Sequence, residues 1–351
     1  MKNPTAISIL VFVTACTLSG KKTESMISSE RYETVGSVDR IDQLINTLIP
    51  EDAKIKILAS GFDWSEGPLW LEDQEALIFS DVPANRIYLW SEQDSLSVFL
   101  EPSGYFGERK DKREPGSNGL ALDLVGNLLL CQHGMRQVGR LKNSLQDPYP
   151  AYETLAFEWN GKKMNSPNDL VVHSDGSIFF TDPPYGLDEW DEKELDFQGV
   201  YRLKNGELTL EIDSLSRPNG VALSPDQKTL YIAQSDVEKA RYYAYDLNQA
   251  GDVLSGKILF DVTRMISPER KGLPDGLKVH SSGNLFATGP GGVLIISPEG
   301  KHLSTIETGQ ATANCAFDLD ENFLYMTADM HLMRIRLEVV HYIFGKVQGA
   351  R

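Results

Sequence analysis

Six oxygen-bearing side chains recur along this chain at a spacing that suits metal chemistry: Glu66, Asn118, Asn168, Asn219, Asp275 and Asn314. Each stands nine or ten residues ahead of a short apolar run: "ALIFSD" from Ala76, "NLLLCQ" from Asn127, "SIFFTD" from Ser177, "TLYIAQ" from Thr229, "NLFATG" from Asn284 and "FLYMTA" from Phe323. Neutral amides with a minority of carboxylates suit a hard cation, because Ca2+ takes oxygen ligands and tolerates irregular geometry. Zinc favours His or Cys, and no such cluster occurs at these positions. Asn-Gly and Asp-Gly are also ordinary turn formers, and for Asn118 and Asn314 a turn role is an equal reading.

The elements that must position these residues follow from the runs themselves. Their starts are 51, 50, 52, 55 and 39 residues apart, a period that belongs to blade-like β architectures. The runs are short, β-branched or aromatic, and bounded by Gly, Pro, Asn and Asp, and no helical period competes with them. Each period holds four candidate strands, as in "PLWLED", "ALIFSD", "RIYLWSE" and "LSVFLEP", while the sixth stops after three. "IKILASG", Ile55 to Gly61, supplies the missing strand and would close the ring, covering the edges of an open array. The expectation is an all-β, six-bladed β-propeller of four-stranded antiparallel blades, closed by an N-terminal strand. Equivalent positions in a ring of blades point at one axis, so the six side chains would converge on the central channel.

In a meander blade, first strands start on the face where second strands end. The metal-type side chains therefore share a mouth with His133 and Arg136 of "CQHGMRQV", Tyr185 of "DPPYG" and His331 of "ADMHL". His173 and His280 fall on the opposite face and read as surface histidines. Two long insertions, "SGYFGERKDKREP" and "PPYGLDEWDEKELDFQG", lie on the mouth side. Loops of that length act as lids or binding loops when ordered, the alternative being solvated charged loops.

Composition sets the outer limits. The 351 residues are 41% hydrophobic and 9% aromatic, enough for a large core, and the formal charge of -16 with no dense basic run argues against nucleic acid as a partner. The start, "MKNPTAISILVFVTAC", pairs one Lys with an apolar run too short to cross a bilayer, which reads as an export signal. Val13-Thr14-Ala15-Cys16 resembles a bacterial lipobox, implying cleavage before Cys16 and a lipid on it. The expected layout is a signal at 1–15, tether and lead-in at 16–54 with a helical reading around "VDRIDQLINTLI", the propeller at 55–338, and a tail at 339–351 of no assigned role. Exported and lipid-anchored in a bacterial envelope is the corresponding location, with the membrane touched only through Cys16. Cys131 and Cys315 read as two buried free thiols, though an exported protein could pair them. Oligomeric state is not legible.

"SEGPLW", "SPNDLVV", "FFTDPPYGL", "RPNGVALSPD", "LPDGLKV" and "TANCAFD", in that order and at blade spacing, resemble the gluconolactonase/regucalcin family of calcium-dependent lactonases. "TDPPYG" with "CQHGMRQV" resembles its bacterial gluconolactonase branch. The resemblance implies a six-bladed propeller with one catalytic divalent metal, Ca2+ first and Zn2+, Mg2+ or Mn2+ as other ions it could take. Carried over residue by residue, it implies Glu66, Asn168, Asn219 and Asp275 as ligands, with Asp275 also the proton acceptor. In animal members an Arg lies two residues before the Asn that matches Asn168; here that place is Ser166, so their sugar contact is not inherited. Asn118, His133, Arg136 and Tyr185 are then the expected substrate contacts.

The implied reaction is hydrolysis of a sugar lactone, gluconolactone-like, to the open hydroxy acid. A metal would polarise the carbonyl, and because Ca2+ acidifies water weakly a separate base is needed, Asp275, with Asp169 or His133 as helpers. No G-x-S-x-G elbow suggests a Ser nucleophile. Two other readings stay open: a non-catalytic propeller that binds a ligand or protein with a structural calcium, and a hydrolase of another lactone or an organophosphate.

Overall fold

The computed structural model describes residues 31–109 and 111–338. The expected signal at 1–15, most of the tether from 16, and the tail at 339–351 lie outside the described residues.

Six antiparallel sheets stand around one axis. Blade one is Ser65–Leu71, Ala76–Asp81, Arg86–Ser91 and Ser95–Leu100, hydrogen-bonded in chain order from the axis outward. Blade two runs Ser117–Leu122 to Tyr152–Ala156, blade three Leu170–Val172 to Glu207–Ile212, and blade four Pro218–Leu223 to Val253–Asp261. Blade five runs Leu277–Val279 to His302–Glu307, and blade six begins Thr312–Phe317 and Phe323–Ala328. Each innermost strand packs beside the next blade's, and that of blade six returns to that of blade one. The second strands are buried almost throughout, and Ala76–Asp81 and Leu128–Gln132 end to end. Both faces of these strands are covered by neighbouring blades, so they read as continuous apolar runs.

Ring closure is as expected. Ile55–Ser60 pairs antiparallel with His331–Arg336 of blade six, with Ser60 opposite His331. The lead-in meets the helical expectation only in part: two short strands precede a short helical turn. Thr34–Val35 adds to the outside of Ile55–Ser60, and Ser37–Arg40 adds to His302–Glu307 of blade five. Only Gln43–Thr47 is helical, as a 3-10 turn capped by Asp42, whose carboxylate accepts from Leu44 N at 2.9 Å. β-branched Thr34, Val35 and Val38 fit a pleated surface, and the outer edges of two blades otherwise stand unpaired.

Six apolar clusters fill the spaces between blades. Cys131 and Cys315 are free, buried, and in different clusters, which rules out a bond between them. His280 is a correction. It is 3% exposed, its ring packed among Phe286 and Phe317, with Nε2 3.2 Å from Glu321. A turn position put it on the lower face, but two aromatic neighbours cover it.

Candidate functional site

A cavity of about 490 Å3 opens at the mouth of the channel, with Glu66, Asn118, Asn219 and Asp275 in its lining. The chain reaches these positions through broken pairing. First strands lose register between Glu66 and Leu69, Ser117 and Leu120, Pro218 and Val221, and Thr312 and Asn314. Such bulges leave a residue unpaired and re-aim its side chain. In blades three and five the strand begins just after the site residue, and Asn168 N still donates to Thr181 O at 2.9 Å.

Close approach of the innermost strands leaves no room for a side chain after Asp275. A Cβ on Gly276 would meet Asn314 Cγ at 2.0 Å. Blade three carries Asp169 at the corresponding place. Its Oδ1 accepts from Leu170 N at 2.9 Å and its Oδ2 from Val221 N of blade four at 3.4 Å.

Electrostatics in the channel are dominated by burial of like charges. The Glu66 carboxyl is pushed up to about 7, first by burial and further by Asp169, against hydrogen bonds from Gly67 N at 3.0 Å and Asn314 Nδ2 at 3.4 Å. Asp275 is raised well above the usual carboxylate range by enclosure in protein, then by the charges of Glu66 and Asp169. Asn219 hydrogen-bonds the Asp275 carboxyl and also donates to Ser235 Oγ at 3.0 Å. The Tyr185 hydroxyl reaches the same Ser235 and Asn219, and burial pushes it up to about 12.

Asn168 offers the most available ligand atom. Its Nδ2 lies 3.4 Å from His133 Nε2, and its Oδ1 is buried with no partner. Two carboxyls that repel each other and two amides, one with its oxygen unpartnered, form an oxygen-only set, which fits a hard divalent cation. Among the described residues no three or more His, Cys, Asp or Glu side chains group to hold a metal. The fit therefore depends on the amide oxygens of Asn168 and Asn219.

The two mouth insertions hold one another. Asp188 accepts from Arg113 N at 3.0 Å and pairs with Arg109 at 3.0 Å and Lys112 at 3.4 Å, while Arg113 Nη2 donates to Tyr185 O at 3.1 Å. Tyr185 meets Trp190 edge-on at 6.2 Å, and Arg217 lies over the Trp190 ring at 4.9 Å. These are ordered walls of the mouth, not free charged loops.

Residues 64–329 match the family model described as the SMP-30/gluconolactonase/LRE-like region. The chain belongs to that family. A gluconolactonase of Zymomonas mobilis is 34% identical over 342 residues, covering 94% of this chain and 95% of that protein. The solved structure of a gluconolactonase from Xanthomonas campestris superposes with a TM-score of 0.75 at 30% identity, covering 87% of this chain and 96% of that one. A pentonolactonase of Haloferax volcanii is 24% identical over 273 residues, covering 75% of this chain and 80% of that protein.

Within this SMP-30/gluconolactonase fold, the residues singled out by spacing and by blade topology take four different places. Glu66, Asn118, Asn219, Asp275 and Tyr185 line this same cavity. Asn168 and His133 lie behind that lining, joined to each other and fully enclosed. Arg136 turns away, its Nε donating to Met164 O at 2.7 Å. Asn314 supports Glu66 by its hydrogen bond.

Other lining residues escaped the spacing argument, among them Trp64, Glu114, Ser235, Ile266 and Arg270. Glu114 Oε2 sits 3.2 Å from His133 Nδ1, although the two are not aligned for a hydrogen bond. Its signal was available, as an acidic residue in a mouth-side insertion just upstream of Asn118. Ser235 directly follows "TLYIAQ", the same offset that singled out His133 after "NLLLCQ".

Proposed function

We propose that this protein is a lactone hydrolase that opens a sugar lactone of the gluconolactone kind to the hydroxy acid. The observation that carries the reading is the set of Glu66, Asn219 and Asp275 in the cavity lining, two of them raised carboxyls, with Asn168 Oδ1 buried and unpartnered behind it. Glu66, Asn168, Asn219 and Asp275 would hold one divalent cation, Ca2+ by donor chemistry. When bound, that ion supplies Lewis acidity to the lactone carbonyl and charge for the oxyanion.

The chain's own groups carry the protons. Asp275, partly open to the cavity, takes a proton from the attacking water as the water oxygen bonds to the carbonyl carbon. The ring C–O bond then breaks, and the proton on Asp275 passes to the departing ring oxygen, leaving a hydroxyl and a carboxylic acid. Asn118 and the Tyr185 hydroxyl face the space beside Asp275 and orient the ring, and Glu114 adds to the polar side, while His133, enclosed behind the lining against Asn168, is not a substrate contact. The mouth insertions limit water to the cavity.

A second reading concerns the lactone. Trp64, Ile266, Leu273 and Ala311 make part of the cavity lining apolar. That part favours a lactone with an apolar substituent over a bare polyol ring. Outside the described residues, the lipobox-like segment supports export and a lipid on Cys16.

The test is hydrolysis of glucono-δ-lactone by EDTA-treated, dialysed protein with Ca2+, Zn2+, Mg2+, Mn2+ or nothing added back, alongside alkyl-substituted δ-lactones. Metal-restored acid release is expected. A folded, Ca2+-binding protein that hydrolyses none of them would make the binding-propeller reading the better one.

A further inference from the structure

A second polar cluster lies off the channel, where blade two meets blade three. Five shielded side-chain atoms there have no hydrogen-bond partner: Arg136 Nη2, Asn165 Oδ1, Asp182 Oδ1, Gln198 Oε1 and the Tyr201 hydroxyl. Asn165, Asp182 and Tyr201 are 0% exposed.

Backbone and side-chain contacts tie these groups into one place. Asp182 Oδ2 accepts from Asn165 N at 2.8 Å, and Asn165 Nδ2 donates to the carbonyls of Asp182 at 2.9 Å and Phe197 at 3.1 Å, next to Gln198. Asp182 pairs across the sheet with Gly199, two residues before Tyr201. A Cβ on Gly199 would stand 2.9 Å from the Tyr201 hydroxyl oxygen, so this glycine lets the hydroxyl lie over the end of the pair. Arg136, at φ 57, is fixed by Met164 O, immediately before Asn165. Its charge acts on Asp182, yet Nη2 and Oδ1 meet no partner.

The unpartnered atoms are of both kinds. The guanidinium and phenol donate; the carboxylate and two amide oxygens accept. A buried polar group left unpaired is costly, and five together would consume much of a domain's marginal stability. A cation would serve the acceptors but oppose the guanidinium, and an anion would do the reverse. Water does both, and needs two to four polar partners.

We propose that this cluster is a built site for bound water that bridges Arg136 to Asp182, and that the bridged pair positions Asn168 and the Tyr185 loop. Asp182 holds Asn165 N, and Arg136 holds Met164 O, three and four residues ahead of Asn168. Ser166 Oγ, between them, donates to Pro183 O and accepts from Gly186 N, both at 2.8 Å, on either side of Tyr185. Arg136 is thereby a positioning residue and not a substrate contact. The positioning half rests on the proposed metal site.

Two measurements test it. A crystal structure fine enough to show solvent should place ordered water within hydrogen-bonding distance of Arg136 Nη2 and Asp182 Oδ1. A direct Arg136–Asp182 ion pair, or a metal ion at that spot, overturns the water site. Calorimetric Ca2+ titration of Arg136→Gln, Asp182→Asn and the double variant tests positioning, with unfolding midpoints showing that each is folded. Groups that orient a metal ligand change affinity by about 10–100-fold, so each single variant should weaken Ca2+ binding about tenfold. The double variant should be no weaker than either, since both remove one bridge; Arg136→Lys should recover part of the loss. Unchanged affinity in folded variants, or a raised KM alone in Arg136→Gln, overturns the role. A wild type that binds no divalent ion defeats the metal reading and the positioning role with it, and leaves the water site to be decided by the crystal structure.

Discussion

Thr181 Oγ1, in the second strand of blade three, donates to the carbonyl oxygen of Asn219 in blade four at 2.7 Å. The same bond recurs where Ser80 Oγ of blade one donates to Asn118 O at 2.9 Å, and Thr288 Oγ1 of blade five donates one residue earlier in blade six, to Ala313 O at 2.9 Å. These hydroxyls occupy the fifth position of their apolar runs and hold the backbone beside the site across a blade boundary. Thr181→Val keeps the shape and leaves a buried carbonyl unpaired, at a cost of about 1–3 kcal/mol. Urea unfolding should show it as a lower midpoint with an unchanged slope; no shift would mean the cross-blade bond contributes nothing.

Gly67 is the tightest backbone passage beside the site. It adopts φ 49, and a Cβ there would stand 2.1 Å from Asn118 O. Gly67→Ala combines left-handed strain with a clash against backbone, so we expect a loss of roughly 2 kcal/mol or more. The thermal midpoint measures it, and wild-type stability would contradict so close an approach of blades one and two.

Removing one channel carboxyl should separate stability from turnover. Asp275→Asn abolishes a repulsion with Glu66 and Asp169, so without metal the variant should melt higher than wild type. Loss of the proton acceptor should cut kcat by about 100-fold or more. A fully active variant would move the base elsewhere, with Glu114 the next group to test.

The raised carboxyls also set a pH dependence. Glu66 sits at about 7 against an ordinary 4.5, so the metal-free folded state binds more protons than the unfolded chain between those values. Stability from this group is present below about 4.5 and is lost as pH rises toward about 7. Asp275 acts with the same sign, as does Asp182, held at about 7 by burial. EDTA-treated protein should therefore melt lower at about pH 7.5 than at about pH 5. Added Ca2+ should raise the midpoint more at the higher pH, because it competes with protons for the carboxyls. Equal Ca2+ effects at both values would argue against carboxylate ligands.

The N-terminal proposal has its own measurement. Full-length protein expressed in bacteria with labelled fatty acid should take up label and fractionate with membranes, and Cys16→Ser should lose both. Label retained in Cys16→Ser would dismiss the lipid on that residue.

Much of the site was legible because its signals are local. A blade repeats its turn residues and apolar alternation, so Glu66, Asn118, Asn219 and Asp275 could be counted to one axis, and they line one cavity. Contacts made by insertions were not legible in this way. Glu114 enters the cavity from a loop whose path depends on Asp188 and Tyr185, more than seventy residues further along the chain. The lead-in "VDRIDQLINTLI" reads as helical alone, yet Ser37–Arg40 forms a strand because an edge of blade five needs a partner.

From the sequence alone came the number of blades, the closing strand and the ring of oxygen-bearing residues, since each depends on spacing within some fifty residues and on side-chain type. The direction taken by each mouth residue was decided only in three dimensions. His133 and Arg136 stand three residues apart in one loop. One lies against Asn168 and Glu114, while the other, at φ 57, turns to Met164 O between two blades. Spacing places a residue on a face. Its partners are chosen by the blade that packs beside it, where burial makes an unpaired polar atom costly.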